Sequence, residues 1–456
     1  MNTTNSSSTE ITSRHLLINR NFALLWSGQA ISTLGDFVFN TTLVVWIAIV
    51  LARGYAWTPI AVSGIFLAAT FPTVLIGPLA GVFVDRWQKR RTMLVINVLQ
   101  ACFIAFLLLQ VSITGIIHLS LLWQLSMIYL VVFLLNTCQQ FFGPSTLALI
   151  NSIVEKKDQP RAIGLGQLSS SIATLVGPVL APPLLLAFGV QWALLFNMLS
   201  FVVSFSMLLL VHSSEQDKQQ TNAESTHFFT EFRVGLVYLL TSQMLRTLLA
   251  VSFIAMLGGG ILFALDIFFV TQNLHTPPSL YGVLDMAVGA GAILGAILAS
   301  IYAQRLGLTR TLWMSVMALG VGILIYARLS SFLPAIGVLF LTGIPFAALD
   351  VASGPLLLRA TPEHLIGRIT ALFNPIVTVA TLVSSASAGY LDSVLLQHFH
   401  VVVLSISFGP VDTIFTVAGL LLLISGIYAM VNLRGNSSMK QVLEAQEDMQ
   451  YEKQEV

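Results

Sequence analysis

Residues 59–91 read PIAVSGIFLAATFPTVLIGPLAGVFVDRWQKRR. The first 26 of these, Pro59 to Val84, carry no charged side chain, and five of the last seven, Asp85 to Arg91, are charged. An uncharged run of about 20 residues is what a helix needs to cross a hydrocarbon core of roughly 30 Å. A basic cluster at its end marks the cytoplasmic side of a membrane. Stretches of the same kind recur at 22–50, 92–114, 122–150, 162–188, 192–212, 247–271, 280–303, 311–328, 335–357, 369–391 and 413–433. Twelve spans therefore follow, and the expected class is an all-α membrane protein.

Composition agrees. Of the 456 residues 56% are hydrophobic and 9% charged, against roughly 25% charged in soluble domains. Mean hydropathy is +0.86. Sorting the basic residues by side places nineteen of the twenty-one with the amino terminus and leaves only Arg53 and Arg328 opposite. Adding or losing one span would scramble that division, so both termini are expected to be cytoplasmic. The first span is too long for a cleavable leader and follows a polar tail. The expected location is a bacterial inner (plasma) membrane, crossed many times. Cys102 and Cys138 fall inside spans and are read as small hydrophobes. A formal net charge of +1 gives no reason to expect a nucleic-acid partner.

The longest internal polar stretch, Ser213 to Arg233, separates six spans from six. The organisation read from it is a cytoplasmic tail 1–21, a bundle 22–212, a linker 213–246, a second bundle 247–433 and a cytoplasmic tail 434–456. Phe228 to Gln243 has the mixed character of an interfacial helix, and a plain solvated linker fits equally well. The halves share a Gly-Pro pair, Gly143-Pro144 and Gly354-Pro355, followed by a basic residue, Arg161 or Arg368, at the next helix start. Transporters are often built from such repeats.

Gly81, Asp85, Arg86, Lys89, Arg90 and Arg91 form the densest charge motif. On its residues alone it is a helix-capping acid with a basic anchor. It also resembles the signature loop of the major facilitator superfamily, which reads Gly, three residues, Asp-Arg, two residues, then basic residues. Gln88 stands where many members have Gly. Asn21-Phe22 with Leu25-Trp26, Ser32 to Asp36, Asp158 to Ala162, and Gly177-Pro178 with Ala181-Pro182 are similar to the macrolide-efflux-type drug exporters of that superfamily. Gly166, Ala173, Gly177 and Pro178 match the spacing of its antiporter motif, with Ala181 and Pro182 in place of a Gly pair. A hinge of small residues and prolines is the plainer reading of the same stretch. The resemblance implies two six-helix bundles that rock about a central cavity, with the loop stabilising one state.

Ionisable residues inside spans are costly and point to function. Asp36 lies about 14 residues into the first span, roughly 21 Å along the helix, and no basic residue shares its depth. Gln29, Thr33, Asp36 and Asn40 recur at spacings of four, three and four, so all four share one face. Desolvation disfavours a charged carboxylate, which suits a group that takes up a proton on one side and releases it on the other. A hydrogen-bonded structural acid and a contact for a cationic substrate are the alternatives. Asp350 is the second coupling candidate. Asp266 and Asp285 are expected to line an outer vestibule, and Asn136, Gln139, Gln140, Asn374 and Thr378 are candidates for cavity lining or helix-to-helix hydrogen bonding.

A phosphate-cradling Gly-x-x-x-x-Gly-Lys motif is absent, since none of the six lysines follows a glycine. No histidine pattern suggests a metal or a catalytic centre, and His398 and His400 merely alternate. The expectation is therefore no enzyme, cofactor or metal. It is a secondary transporter, expected to be a monomer, that exchanges protons for amphipathic drugs, antibiotics or siderophore-like molecules. Uptake or facilitated diffusion of a solute is the first alternative, and a transporter-like receptor or scaffold the second.

Overall fold

The computed structural model describes residues 18–114, 119–212, 228–362, 365–397, 399, 401–403 and 406–452. The amino-terminal tail, the linker acids Glu215, Asp217 and Glu224 with Lys218, and His398 and His400 lie outside them.

Twelve helices among the described residues are long and apolar enough to cross a membrane. In the first group α1 is Arg20–Trp46, α2 Thr58–Leu75, α3 Gly77–Arg86, α4 Lys89–Thr114, α5 Leu121–Ile153, α6 Gln159–Phe188 and α7 Val190–Leu209. A shorter helix, α8 (Phe228–Thr241), leads to the second group: α9 (Gln243–Phe268), α10 (Tyr281–Leu306), α11 (Leu308–Tyr326), α12 (Phe332–Arg359), α13 (Ile366–Tyr390) and α14 (Pro410–Glu452).

Polar caps set where several helices begin, just ahead of the apolar runs. Asn19 accepts the Phe22 N–H at 2.7 Å, and Ser120 accepts that of Trp123 at 3.3 Å, each satisfying an amide that the first turn leaves without a partner. The span read as 59–84 is two helices. Pro78 has no N–H and its ring collides with the carbonyl four residues back, so α2 stops at Leu75 and α3 restarts at Gly77.

Packing repeats between the groups. In the first, α1 lies on α6 and α7, α4 on α5 and α7, and α2 on α5. In the second, α9 lies on α13 and α14, α11 on α12 and α14, and α10 on α12. Span for span these are the same pairings, and this is the structural form of the weak internal similarity. The parallel extends to helix ends, where α1 runs into a π-helical turn at Ile47–Leu51 and α9 into one at Phe269–Asn273. A third π turn, Leu391–Leu395, ends α13. Between α13 and α14 two short strands, β1 (Val401–Val403) and β2 (Ile406–Phe408), pair antiparallel. This addition to the all-α expectation is made from β-branched and aromatic residues that favour strands.

The groups meet through α2 with α13, α6 with α10, and α2 with α9. For direction, the end bearing Arg20, Arg90, Arg161, Arg305 and Arg359 is called the basic face, and the end bearing Arg53 and Arg328 the far face. Toward the far face the contacts are close. A Cβ on Gly389 of α13 would meet the Pro59 carbonyl at 2.9 Å, and one on Gly289 of α10 would meet the Leu175 side chain at 3.2 Å. Gly282 of α10 sits against the Pro178 carbonyl with no room for a side chain. Toward the basic face Gly143, Gly166, Gly354 and Gly367 have no neighbour within 4 Å of the corresponding position. The closest contacts between the groups are thus at the far face, while these four glycines leave space toward the basic face, where α3 still packs on α13.

Candidate functional site

Asp36 is half-buried on α1. Gln139 of α5 donates its Nε2 to Asp36 Oδ2 at 3.1 Å. From α7, Asn197 approaches the other side of the carboxyl. That contact falls short of hydrogen-bond geometry, because Asn197 Nδ2 is buried and has no partner. Asn197 is fully buried, and Gly35 makes its approach possible: a Cβ there would lie 2.7 Å from Asn197 Oδ1. The polar environment of Asp36 is therefore two neutral amides from two different helices. Among the described residues it is in no salt bridge.

The shared face of α1 turns toward α5. Gln29 Nε2 donates to Thr146 Oγ1 at 2.8 Å, one rung below the Asp36–Gln139 pair. Gln140 Nε2 donates to Thr73 Oγ1 of α2 at 3.1 Å and ties α5 to its other neighbour. Asn136 instead donates to the Val132 carbonyl of its own helix at 2.9 Å. Thr33 is half-buried and Asn40 exposed. The side chains of Gly81, Asp85 and Arg86 lie outside the described residues. Among the rest of the signature loop, Arg90 reaches the Leu209 carbonyl at 2.7 Å and the Leu208 carbonyl at 3.3 Å, tying the start of α4 to the last carbonyls of α7, where a cation is favoured. Arg91 is exposed and Lys89 half-buried.

The antiporter-like stretch lies directly beside Asp36. Gly177 of α6 packs on Phe37, with a Cβ position 3.3 Å from the Val38 amide nitrogen. The next residue, Pro178, is the one whose carbonyl receives Gly282 from the second group. Pro178 and Pro182 are buried, and α6 remains one helix across them. Gly166, about three turns toward the basic face, has no neighbour within 4 Å of its Cβ position.

In the second group Tyr326 of α11 donates its hydroxyl to Asp266 Oδ1 at 2.8 Å. The Tyr326 ring is fully buried, 4.6 Å from that of Phe269 and 6.0 Å from that of Phe415. Asp285 is half-buried on α10, one turn from the buried Tyr281. Asp266, half-buried, thus takes part in a helix-to-helix hydrogen bond. Asp350 and Asn374 are exposed and Thr378 half-buried; the Asp350 carboxyl has no hydrogen bond or salt bridge among the described residues. No group of three or more His, Cys, Asp or Glu is placed to hold a metal among the described residues. Cys102 and Cys138 are free.

Asn197, Thr146 and Thr73 were not among the residues singled out from the sequence. Asn197 carried a signal, as the one amide in the apolar stretch Leu194 to Phe201.

Residues 12–423 match the family described as transmembrane secretion effectors. The uncharacterized MFS-type transporter YkuC of Bacillus subtilis (strain 168) is 20% identical over 373 residues, 79% of this chain and 83% of that protein. Macrolide efflux protein A of Streptococcus pyogenes is 19% identical over 387 residues, 83% of this chain and 91% of that protein. The crystal structure of a bacterial homologue of the iron transporter ferroportin, in its inward-facing state, superposes with a TM-score of 0.68 at 16% identity, covering 92% of this chain and 99% of that one. At that identity the likeness is one of fold.

Proposed function

Because the chain belongs to the transmembrane secretion effector family of major facilitator transporters, we propose that it is a proton-coupled exporter of amphipathic small molecules that works by alternating access, with Asp36 as the proton carrier. The basic face is cytoplasmic in this reading, so the far-closed arrangement faces inward. The family and the relative named for macrolide efflux support export over uptake.

The observation that carries the reading is the company Asp36 keeps. A structural acid buried in a membrane span is normally neutralised by a cation or saturated by donors. Here it has one hydrogen bond, from Gln139, and a second amide within reach but unengaged. Neutral amides can serve both forms of the carboxyl. A carboxylate accepts from their N–H groups, and a carboxylic acid donates to their oxygens. Loading a proton therefore rearranges hydrogen bonds among α1, α5 and α7 without stranding a buried charge.

The same region has a mechanical outlet. Phe37 follows Asp36 and bears on Gly177; Pro178 follows Gly177 and bears on Gly282 of the other group. A shift of α1 on protonation is passed through two backbone contacts to the interface that must separate when the far side opens. The substrate occupies the open region at the basic face and competes with the proton for the conformation, as exchange requires.

The test is transport of labelled amphipathic compounds into everted vesicles with and without an imposed pH gradient. Gradient-driven accumulation is expected. Asp36→Asn should abolish accumulation and preserve downhill exchange and substrate binding, because the amide can make the same hydrogen bonds and cannot carry the proton. Uphill transport at the wild-type rate by that variant would remove Asp36 from the mechanism.

A further inference from the structure

A second polar site lies at the far face, away from Asp36. A cavity of about 440 Å³ opens there between the two groups, lined by Tyr55 and Pro59 from the first and by Phe268, Gln272, Asp392 and Gln397 from the second. That volume lies in the range of pockets that hold small organic ligands, about 300–1,000 Å³. Asp392 is 8% exposed and has no hydrogen bond or salt bridge among the described residues. Its oxygens are not among the fully enclosed atoms without a partner, so the carboxyl opens on the cavity.

The three π turns converge on this cavity. Ala48 belongs to the turn at Ile47–Leu51, Thr271 and Gln272 to that at Phe269–Asn273, and Asp392 to that at Leu391–Leu395. Single π turns inside helices recur at functional sites because they re-aim side chains. The loop that supplies Tyr55 is held in shape, since Thr58 Oγ1 donates to the Tyr55 carbonyl at 2.7 Å and also to that of Ala52. The Tyr55 ring stands 5.0 Å from that of Trp57.

The geometry points to a binding site for an organic ammonium ion at the far face, with Asp392 as its counter-charge and Tyr55 and Phe268 as its aromatic and apolar walls. A carboxylate with aromatic neighbours is the chemistry that recognises alkylated ammonium groups. The chamber is many times larger than a bare alkali ion, and among the described residues no group of three or more His, Cys, Asp or Glu is placed to hold a metal. Both groups contribute walls. The site exists only while α13 is packed on α2, and an occupant holds the far side shut. An exported ammonium compound that accumulates outside would thereby slow its own exporter.

The probe is phenyltrimethylammonium chloride, titrated at constant ionic strength against the purified full-length protein in detergent while thermal unfolding is followed. A saturable rise in Tm is expected, absent with sodium chloride alone. Asp392→Asn should weaken the apparent affinity at least tenfold, and Asp392→Glu should retain most of it. Gly389→Leu, which keeps Asp392 but wedges α13 off Ser63 and Pro59, should also lose it. In the wild type the probe should shorten the distance between spin labels at Arg53 and His275. Undiminished binding by Asp392→Asn, undiminished binding by Gly389→Leu, or a probe that lengthens the labelled distance would each overturn the assignment. The everted-vesicle assay does not use this probe, so failure here leaves the proton-carrier reading to its own test.

Discussion

Alanine in place of Gly282 should drive the far side apart. A Cβ at that position would fall on the Pro178 carbonyl and lie 2.8 Å from the Val179 amide nitrogen. Both obstacles are backbone, so no rotamer change relieves them and the two helices must separate. Forcing extra atoms into a filled contact costs about 1–3 kcal/mol. Only the far-closed state bears that cost, so its population relative to the far-open state should fall roughly 5- to 150-fold. Spin labels at Arg53 and His275, exposed residues of far-face loops in opposite groups, would report it once Cys102 and Cys138 are replaced by serine. The wild type should give mainly the short distance, and Gly282→Ala a dominant longer one. Gly337→Ala is the control, since nothing lies within 4 Å of the added atom. If Gly282→Ala and the wild type gave superimposable distance distributions, the α6–α10 contact would not be the element that closes the far side.

Two further substitutions test the far end of the second group. Tyr326→Phe keeps the ring in its stack with Phe269 and Phe415 and strips Asp266 of its donor; a loss of about 1–3 kcal/mol is expected for an unsatisfied buried acceptor, read from denaturant midpoints in micelles. An unchanged midpoint would mean that the hydroxyl contributes nothing there. Arg328 pairs with Asp412 at 3.7 Å and donates to its carbonyl at 2.9 Å and to Thr416 Oγ1, and Asp412 is 4% exposed. Arg328→Met should cost about 3–5 kcal/mol by leaving that carboxylate uncompensated, and adding Asp412→Asn should recover most of it. Failure of the second change to rescue the first would assign the loss to packing instead of charge.

The membrane-spanning elements were legible because the bilayer imposes one requirement on every residue they contain. With no water to satisfy the backbone, a lipid-exposed spanning segment must be helical or part of a closed barrel, and an uncharged run of sufficient length then announces itself. Details set by local backbone chemistry were read less well. The break at Ile76 follows from Pro78, yet Pro178, Pro182 and Pro183 sit inside a continuous α6. The same residue type interrupts one helix and not the other, so a proline alone does not locate a break. The hairpin at Val401–Val403 and Ile406–Phe408 lies in a loop with no hydropathy requirement, and its three-residue strands are too short to stand out.

The candidate site was legible to the extent that charge marks it. Asp36 stands out in a 27-residue helix whose only other ionisable residue is Arg20 at its start, and its face follows from helical period. Which helix that face meets does not, because period gives the rotation of a residue about its own axis and says nothing of the neighbour's. Gln139 and Gln29 were therefore recognisable as polar residues on the right kind of face, whereas their pairings with Asp36 and Thr146 needed the fold. Asp392 shows the deeper limit. Near the end of its span it reads as an acid close to water, yet the π turn that contains it changes the angle between successive residues and turns its carboxyl into a chamber shared by both halves. A hydrophobic pattern counted at 100° per residue cannot register a turn that departs from that angle. The acids most easily overlooked in a transporter sequence are thus those placed where a helix widens, which is also where re-aimed side chains are most useful to a gate.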